Sequence, residues 1–263
     1  MGRGMHLPSF FTRSSLVALA LSAAACSFGI GESTEGDQGK MHFEYTGGDC
    51  LLGCGLDRNA LQGSLVTVSA RGGDGDVRKK ARLTSGAIGA ISAQRESCSC
   101  ETTTRDTRKS RSVEPSTGCA SGETKSCSLS VDIETAQPGD SKLEITDFGG
   151  NVVDRVTVHV RPAARIDVDV REGGTNVGGV YEVKRGSKVK LRSEVFDADG
   201  SEVIFARHGV SHAYGDKSIL QPDAAVLVGS TDVEDMLAIG LGETTVKVRA
   251  EGAEKLVRFR VVP

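Results

Sequence analysis

The sequence predicts an all-β protein built from two tandem β-sandwiches. Short segments with apolar residues at alternating positions recur along both halves of the chain, and turns rich in Gly, Asp and Asn separate them. No stretch shows the longer apolar repeat of an extended amphipathic helix. Only 4% of the residues are aromatic while 33 are glycine, a balance typical of small sandwiches and barrels with many turns.

Residues 1–25 have the pattern of a secretory signal peptide. Arg3 and Arg13 give the segment a positive start, and an apolar run follows from Leu16. This run is shorter than the roughly twenty apolar residues that a transmembrane helix needs, and it ends in small residues before Cys26. We therefore expect the chain to be exported from the cytoplasm.

The segment Ala23–Cys26 resembles the lipobox of bacterial lipoproteins, in which the cysteine becomes the acylated first residue of the mature chain. The resemblance implies that Cys26 carries lipid and anchors the protein in a membrane. Ser27 follows in place of an aspartate, which resembles the sorting signal for the outer membrane. The alternative is cleavage by an ordinary signal peptidase, which leaves Cys26 as a plain thiol. Residues 26–40, rich in Gly, Ser and Glu, are predicted to form a flexible linker.

The cysteine count fits a lipid on Cys26. The chain has seven cysteines, and one lipid carrier leaves six, enough for three disulfides in an oxidising compartment. Cys50 and Cys54 are close enough in sequence to bridge locally. Cys98 and Cys100 are too close to bridge each other without strain. Cys98 and Cys100 are each expected to pair with Cys119 or Cys127, and the sequence does not decide which. The six cysteines predicted to form disulfides are Cys50, Cys54, Cys98, Cys100, Cys119 and Cys127.

Residues 41–162 and 163–263 are predicted as the two sandwiches. Alternating apolar residues in the first region predict the strands His42–Tyr45, Leu65–Ala70, Ala81–Ser92, Cys127–Glu134, Lys142–Asp147 and Val153–Arg161. The second region has the predicted strands Arg165–Val170, Val180–Lys184, Lys188–Phe196, Val203–Arg207, Ala224–Val228, Thr244–Arg249 and Lys255–Val262. The best candidates for short helices are Asp57–Leu61 and Asp232–Met236.

An internal similarity supports two units of equal size. Gly139–Gly149 and Gly242–Gly252 share a glycine, an acid, a hydroxyl, two alternating apolar residues and a final turn glycine. Their offset of 103 residues (242 − 139) is close to the length of one immunoglobulin-type sandwich. Each segment then runs through an alternating strand to a proline. We interpret both as the closing hairpin of a sandwich.

The second region resembles the bacterial Ig-like (BIG-type) domains of surface and periplasmic lipoproteins. Two segments carry the resemblance: Gly186–Gly200, a strand that runs into an Asp/Gly turn, and the closing hairpin from Gly242 to Val262. It implies an Ig-like sandwich fold. Such domains serve as spacers, adhesins and accessory modules, so the resemblance implies a fold more narrowly than a function.

A basic stretch between the cysteines is one candidate binding site, and exposed strand edges that could accept a partner's strand are the alternative. Thr102–Gly118 is polar and is predicted as a long loop that flanking disulfides tie down. Its cationic residues, proposed to bind an anionic polymer such as an acidic polysaccharide, are Arg105, Arg108, Lys109 and Arg111. The alternative is a solvated loop with no ligand.

His208 and His212 suggest a possible metal site, but the residues around them do not complete one. No Glu lies between the two histidines, as a zincin motif requires, and no third ligand stands nearby. No nucleophile elbow or phosphate-binding loop is present. We therefore predict no catalytic residue, no metal and no cofactor. The formal net charge of −3 also gives no reason to expect nucleic acid as a partner.

These patterns together predict a non-enzymatic, lipid-anchored protein of the outer membrane that acts as a binding, adhesion or structural module. Its expected partners are the membrane, through the lipid, and an envelope protein or polysaccharide. Two alternatives stay open. One is an envelope metal-binding protein or enzyme that uses His208 and His212, and the other is an accessory subunit of an envelope complex.

Overall fold

A computed structural model describes residues 32–47, 50–72, 79–103, 108–223 and 233–263. The predicted signal peptide, Cys26 and the strand Ala224–Val228 lie outside these ranges. Within them the regular structure is strand, apart from one 3-10 turn at Gly86–Ile88. No described helix is long and apolar enough to cross a membrane. The prediction of an all-β chain is confirmed.

The described residues of the first sandwich form eleven strands. They are β1 (Thr34–Glu35), β2 (Met41–Gly47), β3 (Cys50–Cys54), β4 (Asn59–Leu61), β5 (Leu65–Gly72), β6 (Lys80–Leu83), β7 (Gly89–Thr103), β8 (Arg108–Val113), β9 (Thr124–Thr135), β10 (Gly139–Thr146) and β11 (Val152–Arg161). One sheet has the order β1-β2-β5-β9-β7-β8, with β3 beside β2, and the facing sheet contains β4-β11-β10-β6.

Ten strands of the second sandwich lie within the described ranges. They are β12 (Arg165–Glu172), β13 (Gly174–Val177), β14 (Val180–Lys184), β15 (Lys188–Phe196), β16 (Val203–Ile204), β17 (Val210–Tyr214), β18 (Leu220–Pro222), β19 (Val233–Ala238), β20 (Gly242–Ala250) and β21 (Ala253–Val262). Its sheets have the orders β12-β15-β19-β18 and β13-β14-β21-β20-β17.

Both sandwiches have the strand order of an immunoglobulin domain. In chain order the seven principal strands, A to G, divide into an A-B-E-D sheet and a G-F-C sheet. In the first sandwich these are β2-β5-β9-β7 and β11-β10-β6, and in the second they are β12-β15-β19-β18 and β21-β20-β17. The two segments that resemble each other in sequence form the F–G hairpins β10–β11 and β20–β21. The prediction of tandem Ig-like sandwiches is confirmed.

Each sandwich has its own apolar core between its two sheets. Alternation places Phe43 and Val158 of opposite sheets in the first core, and Val189 and Phe259 in the second, all with no exposed surface. Full burial of such a side chain contributes roughly 1.5–3 kcal/mol. The alternating pattern that predicted the strands is therefore also the pattern that forms the cores.

The two sandwiches interlock through shared strand pairing. The short strand β16 leaves the second sandwich and adds to the edge of β4, so that Ile204 pairs with Ala60. Ile204 is buried in the first core, and in return Leu61 of β4 is buried in the second core. Each core therefore contains a side chain contributed by the other sandwich.

Polar contacts hold the same junction. The Leu65 N–H donates to the Arg207 carbonyl over 2.9 Å, and the Ala206 N–H donates to the Leu65 carbonyl over 2.8 Å. At Gly252, in the turn after β20, φ is +94°, and a Cβ there would lie 2.6 Å from the carbonyl oxygen of Ala163. This turn packs directly against the link between the sandwiches.

The structure corrects three predictions about local structure. The segments predicted as short helices, Asp57–Leu61 and Asp232–Met236, contribute β4 and β19, because pairing with neighbouring strands overrides a weak helical preference. Thr102–Gly118 is no simple loop, since its middle forms β8. Residues 34–40 of the predicted flexible linker are folded: β1 pairs with β2, and the turn after β1 is bonded to Asp154.

Asp154 fixes this N-terminal turn. Its buried carboxylate accepts hydrogen bonds of 2.8–2.9 Å from the backbone N–H groups of Gln38, Lys40, Met41 and Arg155. Burial opposes ionisation of Asp154, but these four donors outweigh it and hold its pKa below the ordinary value of an aspartate.

Candidate functional site

The first sandwich extends a three-stranded ribbon beyond the end of its core. The pairing of β9 with β5 ends at Ser128, whereas its pairing with β7 continues to Thr124. Strand β8 pairs with the same end of β7, from Cys98 to Thr103. We call residues 98–103 and 108–127 the stapled ribbon.

Two disulfides staple the ribbon. Cys98 bridges to Cys127, its direct neighbour on β9, and Cys100 bridges to Cys119 in the segment after β8. All four cysteines were predicted to be bonded, and the structure selects this pairing from the alternatives left open. The third bridge, Cys50–Cys54, closes a short local loop at β3.

The segment 114–123 folds back over one face of the ribbon. The Arg111 guanidinium makes a two-pronged contact with the Glu123 carboxylate, at 2.7 and 3.3 Å. This contact, helped by the Ala120 N–H, holds the pKa of Glu123 below its ordinary value, and it raises the pKa of Arg111. Lys125 donates to the Pro115 carbonyl over 2.7 Å. The cover over Cys98 and Cys100 is thus held by polar contacts as well as by a disulfide.

The opposite face of the ribbon is lined with hydroxyl groups. Ser99 lies directly opposite Ser112 of β8 and Ser126 of β9, so that three serines form a row across three strands. Ser110 follows on the same face, since residues two apart along a strand point to the same side. Sequence reasoning missed this face, although the alternation of Ser110 and Ser112 with Lys109, Arg111 and Val113 was a signal for a half-covered strand.

The structure places the side chains of Lys109 and Arg111, two members of the predicted basic cluster, in different environments. Lys109 is exposed on β8, while the guanidinium of Arg111 is engaged by Glu123. Arg108 begins β8, and its side chain is outside the described part of the chain, as is the whole of Arg105. Three of the four predicted cations therefore lie on one edge strand of the ribbon, and the side chains of two of them, Lys109 and Arg111, are described.

The two histidines occupy different environments. His208 is exposed in the turn before β17, with a φ of +62°. The His212 side chain is only 9% exposed, and its Nδ1 lies 3.5 Å from a carboxylate oxygen of Glu234. Among the described residues, no group of three possible metal ligands includes either histidine. The groups of three that do occur each contain a disulfide-bonded cysteine pair.

His212 belongs to a buried polar cluster that sequence reasoning did not foresee. The Tyr214 hydroxyl donates to the other oxygen of Glu234, and Lys217 lines the same cavity of about 650 Å³. The Nε2 of His212 is buried and has no hydrogen-bond partner among the described residues. Burial lowers the pKa of His212, an effect that the Glu234 charge partly opposes, while burial and the bond to Glu234 raise the pKa of Tyr214.

Comparisons with known proteins give remote similarities in fold. No protein-family model and no curated protein sequence matches this chain. The Escherichia coli adhesin FdeC is similar at 15% identity and a TM-score of 0.30, over 89% of this chain and 66% of that one. Yersinia pseudotuberculosis adhesin InvE is similar at 15% identity and a TM-score of 0.31, over 78% and 57%. The chain thus spans less than two thirds of either structure.

A third similar structure is the C-terminal domain of the Streptococcus agalactiae AgI/II polypeptide BspA. Its identity to this chain is 10% and its TM-score 0.31, over 83% of this chain and 99% of that one. These values assign the chain to no family, so its function has to be argued from its own residues.

Proposed function

We propose that this protein is a non-enzymatic binding module of the cell envelope, anchored by lipid on Cys26, that presents the stapled ribbon to a partner. The observation that carries the proposal is the ribbon itself. It extends past the core, and two disulfides hold it in one conformation. Restricting a binding element before contact reduces the entropy lost on binding.

The position of the ribbon suits a chain tethered at its N-terminus. The first described strand, β1, and the ribbon strand β8 lie at opposite edges of the same sheet. Five strand spacings separate them, roughly 24 Å. From Cys26 to Glu32 the chain can extend at most about 22 Å. A lipid on Cys26 would therefore hold the sandwich near the membrane, with β8 of the ribbon at the edge of the sheet opposite the tethered strand.

The interlocked sandwiches support the same role. A freely hinged pair would let the ribbon sample many orientations, whereas the pairing of β16 with β4 limits the junction to one arrangement. Six paired cysteines also suit an oxidising compartment outside the cytoplasm. We place the protein in the outer membrane on the sequence after the lipobox-like segment.

Cell fractionation and binding test the proposal together. We expect mass spectrometry to find acyl chains on Cys26, and Cys26→Ala to release the protein from membranes. Isolated envelope polysaccharide and protein fractions should retain the wild-type chain but not a variant with Lys109→Glu and Arg111→Glu. The matched control is Lys247→Glu with Arg249→Glu on β20. Equal retention of all variants, or an unacylated Cys26, would contradict the proposal.

A further inference from the structure

The outer edge of β8 ends the larger sheet of the first sandwich. Within the described residues no strand pairs with that edge. Over its six residues β8 keeps an uninterrupted register with β7, without a bulge or a proline. The eight-residue edge strand β12, by contrast, has a register shift between Val170 and Glu172, and the edge strand β18 ends in Pro222. Bulges, prolines and short lengths are the usual protection of sheet edges.

The register shows which backbone groups of β8 point outward. Cys98 and Cys127 face each other with their Cα atoms 4.1 Å apart, which is the close spacing of a non-hydrogen-bonded antiparallel pair. The backbone groups of Cys98 therefore point to β8, where they meet Val113.

Because the pattern alternates along the strand, Arg111 also bonds inward and Ser110 and Ser112 present their N–H and C=O groups outward. Both serines are exposed. A free row of this kind is what an added strand pairs with.

The charge on β8 selects the kind of strand that can pair there. In sequence three of its six residues are cationic, Arg108, Lys109 and Arg111, and the last is engaged by Glu123. A strand added to β8 places its own side chains directly opposite these residues, where opposite charges attract and like charges repel. Carboxylates should therefore face Lys109, and small or hydroxyl residues should face Ser110 and Ser112.

We infer that the outer edge of β8 is a docking strand that takes an extended acidic segment of a partner protein by strand addition. The inference rests on the proposed function and names its partner class. A second copy of this chain is disfavoured, because pairing of β8 with β8 would set the cations of the two copies against each other. The two disulfides keep the docking edge formed before the partner arrives.

The test uses the full mature chain with Cys26→Ser, isotope-labelled for NMR. The probes are an eight-residue peptide of alternating Glu and Thr and its counterpart of alternating Lys and Thr. We expect the Glu peptide to shift the amide signals of Ser110 and Ser112 most, and the Lys peptide to bind at least about tenfold more weakly.

Two substitutions at Ser110 distinguish the contribution of its backbone N–H to peptide binding from that of its side chain. Ser110→Pro removes an outward N–H without removing a bond to β7, and should weaken binding of the Glu peptide about tenfold. Ser110→Ala keeps that N–H and should bind within about twofold of wild type.

Other outcomes would overturn the inference. These are equal binding of the two peptides, shifts centred away from β8, equal affinities of the Pro and Ala variants, or shifts at Ser110 that grow with protein concentration alone. If the envelope fractions still distinguish the charge-reversed ribbon while the Pro and Ala variants behave alike, the proposed function stands and strand addition fails.

Discussion

The two sandwiches have one strand order but differ most at the fourth principal strand. In the first sandwich that strand is β7, with fifteen residues, and in the second it is β18, with three. The added length of β7 carries the stapled ribbon, whose strands continue past the pairing of β5 with β9 in the described part of the chain. All three disulfides lie in the first sandwich and none in the second. Covalent bridges are thus used where the fold extends beyond its core.

The sandwiches also differ in the surroundings of one ionisable group in each. Asp154 of the first is surrounded by four backbone donors that favour its charged form. Burial of His212 in the second favours its neutral form, and its Nε2 finds no hydrogen-bond partner within the part of the chain that is described. Two sandwiches of the same topology therefore favour opposite charge states at these two groups, ionised for Asp154 and neutral for His212.

The largest expected loss of stability comes from truncating a side chain that one sandwich contributes to the core of the other. Ile204→Ala should lower the stability of the first sandwich by about 2–5 kcal/mol, although Ile204 lies in the sequence of the second. Leu61→Ala should do the converse. Hydrogen exchange resolved by peptide measures the loss in each sandwich. Ile166→Ala, a truncation within the second core, is the control, and an Ile204→Ala effect confined to the second sandwich would refute the shared packing.

Removing the disulfides should lower the stability of the first sandwich, which contains all three of them. Cys98→Ser with Cys127→Ser should destabilise the first sandwich by about 2–4 kcal/mol. The bridge joins residues at a sequence separation of 29, so its loss gives the unfolded chain more conformational freedom. Removing Cys50–Cys54, with a separation of 4, should have a smaller effect. Urea unfolding measures both. Reductant should reach the second sandwich only through the shared junction, since that sandwich has no cysteine, and a larger loss of stability there than in the first sandwich would argue against this role of the disulfides.

Asp154→Asn should lower the stability of the first sandwich by about 1–3 kcal/mol at neutral pH, because four donors lose a charged acceptor. The pKa of Asp154 is depressed in the folded state, so its contribution is present above the unfolded value near 4 and is lost as the pH falls through the folded pKa. Unfolding curves of wild type and variant should converge in that acid range. Parallel curves down to the lowest pH would contradict this role.

Titration of His212 should have the smallest effect on stability, and we expect that effect in the second sandwich. Its pKa is depressed, so the unfolded chain binds the proton more readily and stability falls as the pH drops below about 6.5. The charged and titratable groups that face it are Glu234, Tyr214 and Lys217. His212→Phe should remove this slope between pH 7 and 5 in hydrogen exchange of β17. An unchanged slope would assign the titration to another group.

Most of the fold could be predicted from the sequence because a strand with one buried side has apolar residues at alternating positions. Strands such as β15, and β11 from Val156 onward, have alternating buried residues, since one side faces a core and the other faces water. The F–G hairpins repeat at a fixed offset, so their similarity was also visible. The cysteines were predicted as bonded by count alone.

The sequence did not show features that depend on contacts distant along the chain. Strand β4 has only three residues, and its neighbours β11 and β16 lie roughly a hundred residues or more further along. Asp154 looks like one polar residue of an alternating strand until the turn at residues 36–41 closes over it. The partner of Arg111 was likewise set by a fold-back that local pattern does not encode.

Amide hydrogen exchange at the junction tests the central idea that the two sandwiches form one interlocked support. The amides of Leu65 and Ala206 donate hydrogen bonds across the junction. We predict that both exchange as slowly as the amides of the central strands β10 and β20, through the same cooperative opening. Exchange of Leu65 and Ala206 that is orders of magnitude faster, while β10 and β20 stay protected, would show two sandwiches that move independently and would contradict the account.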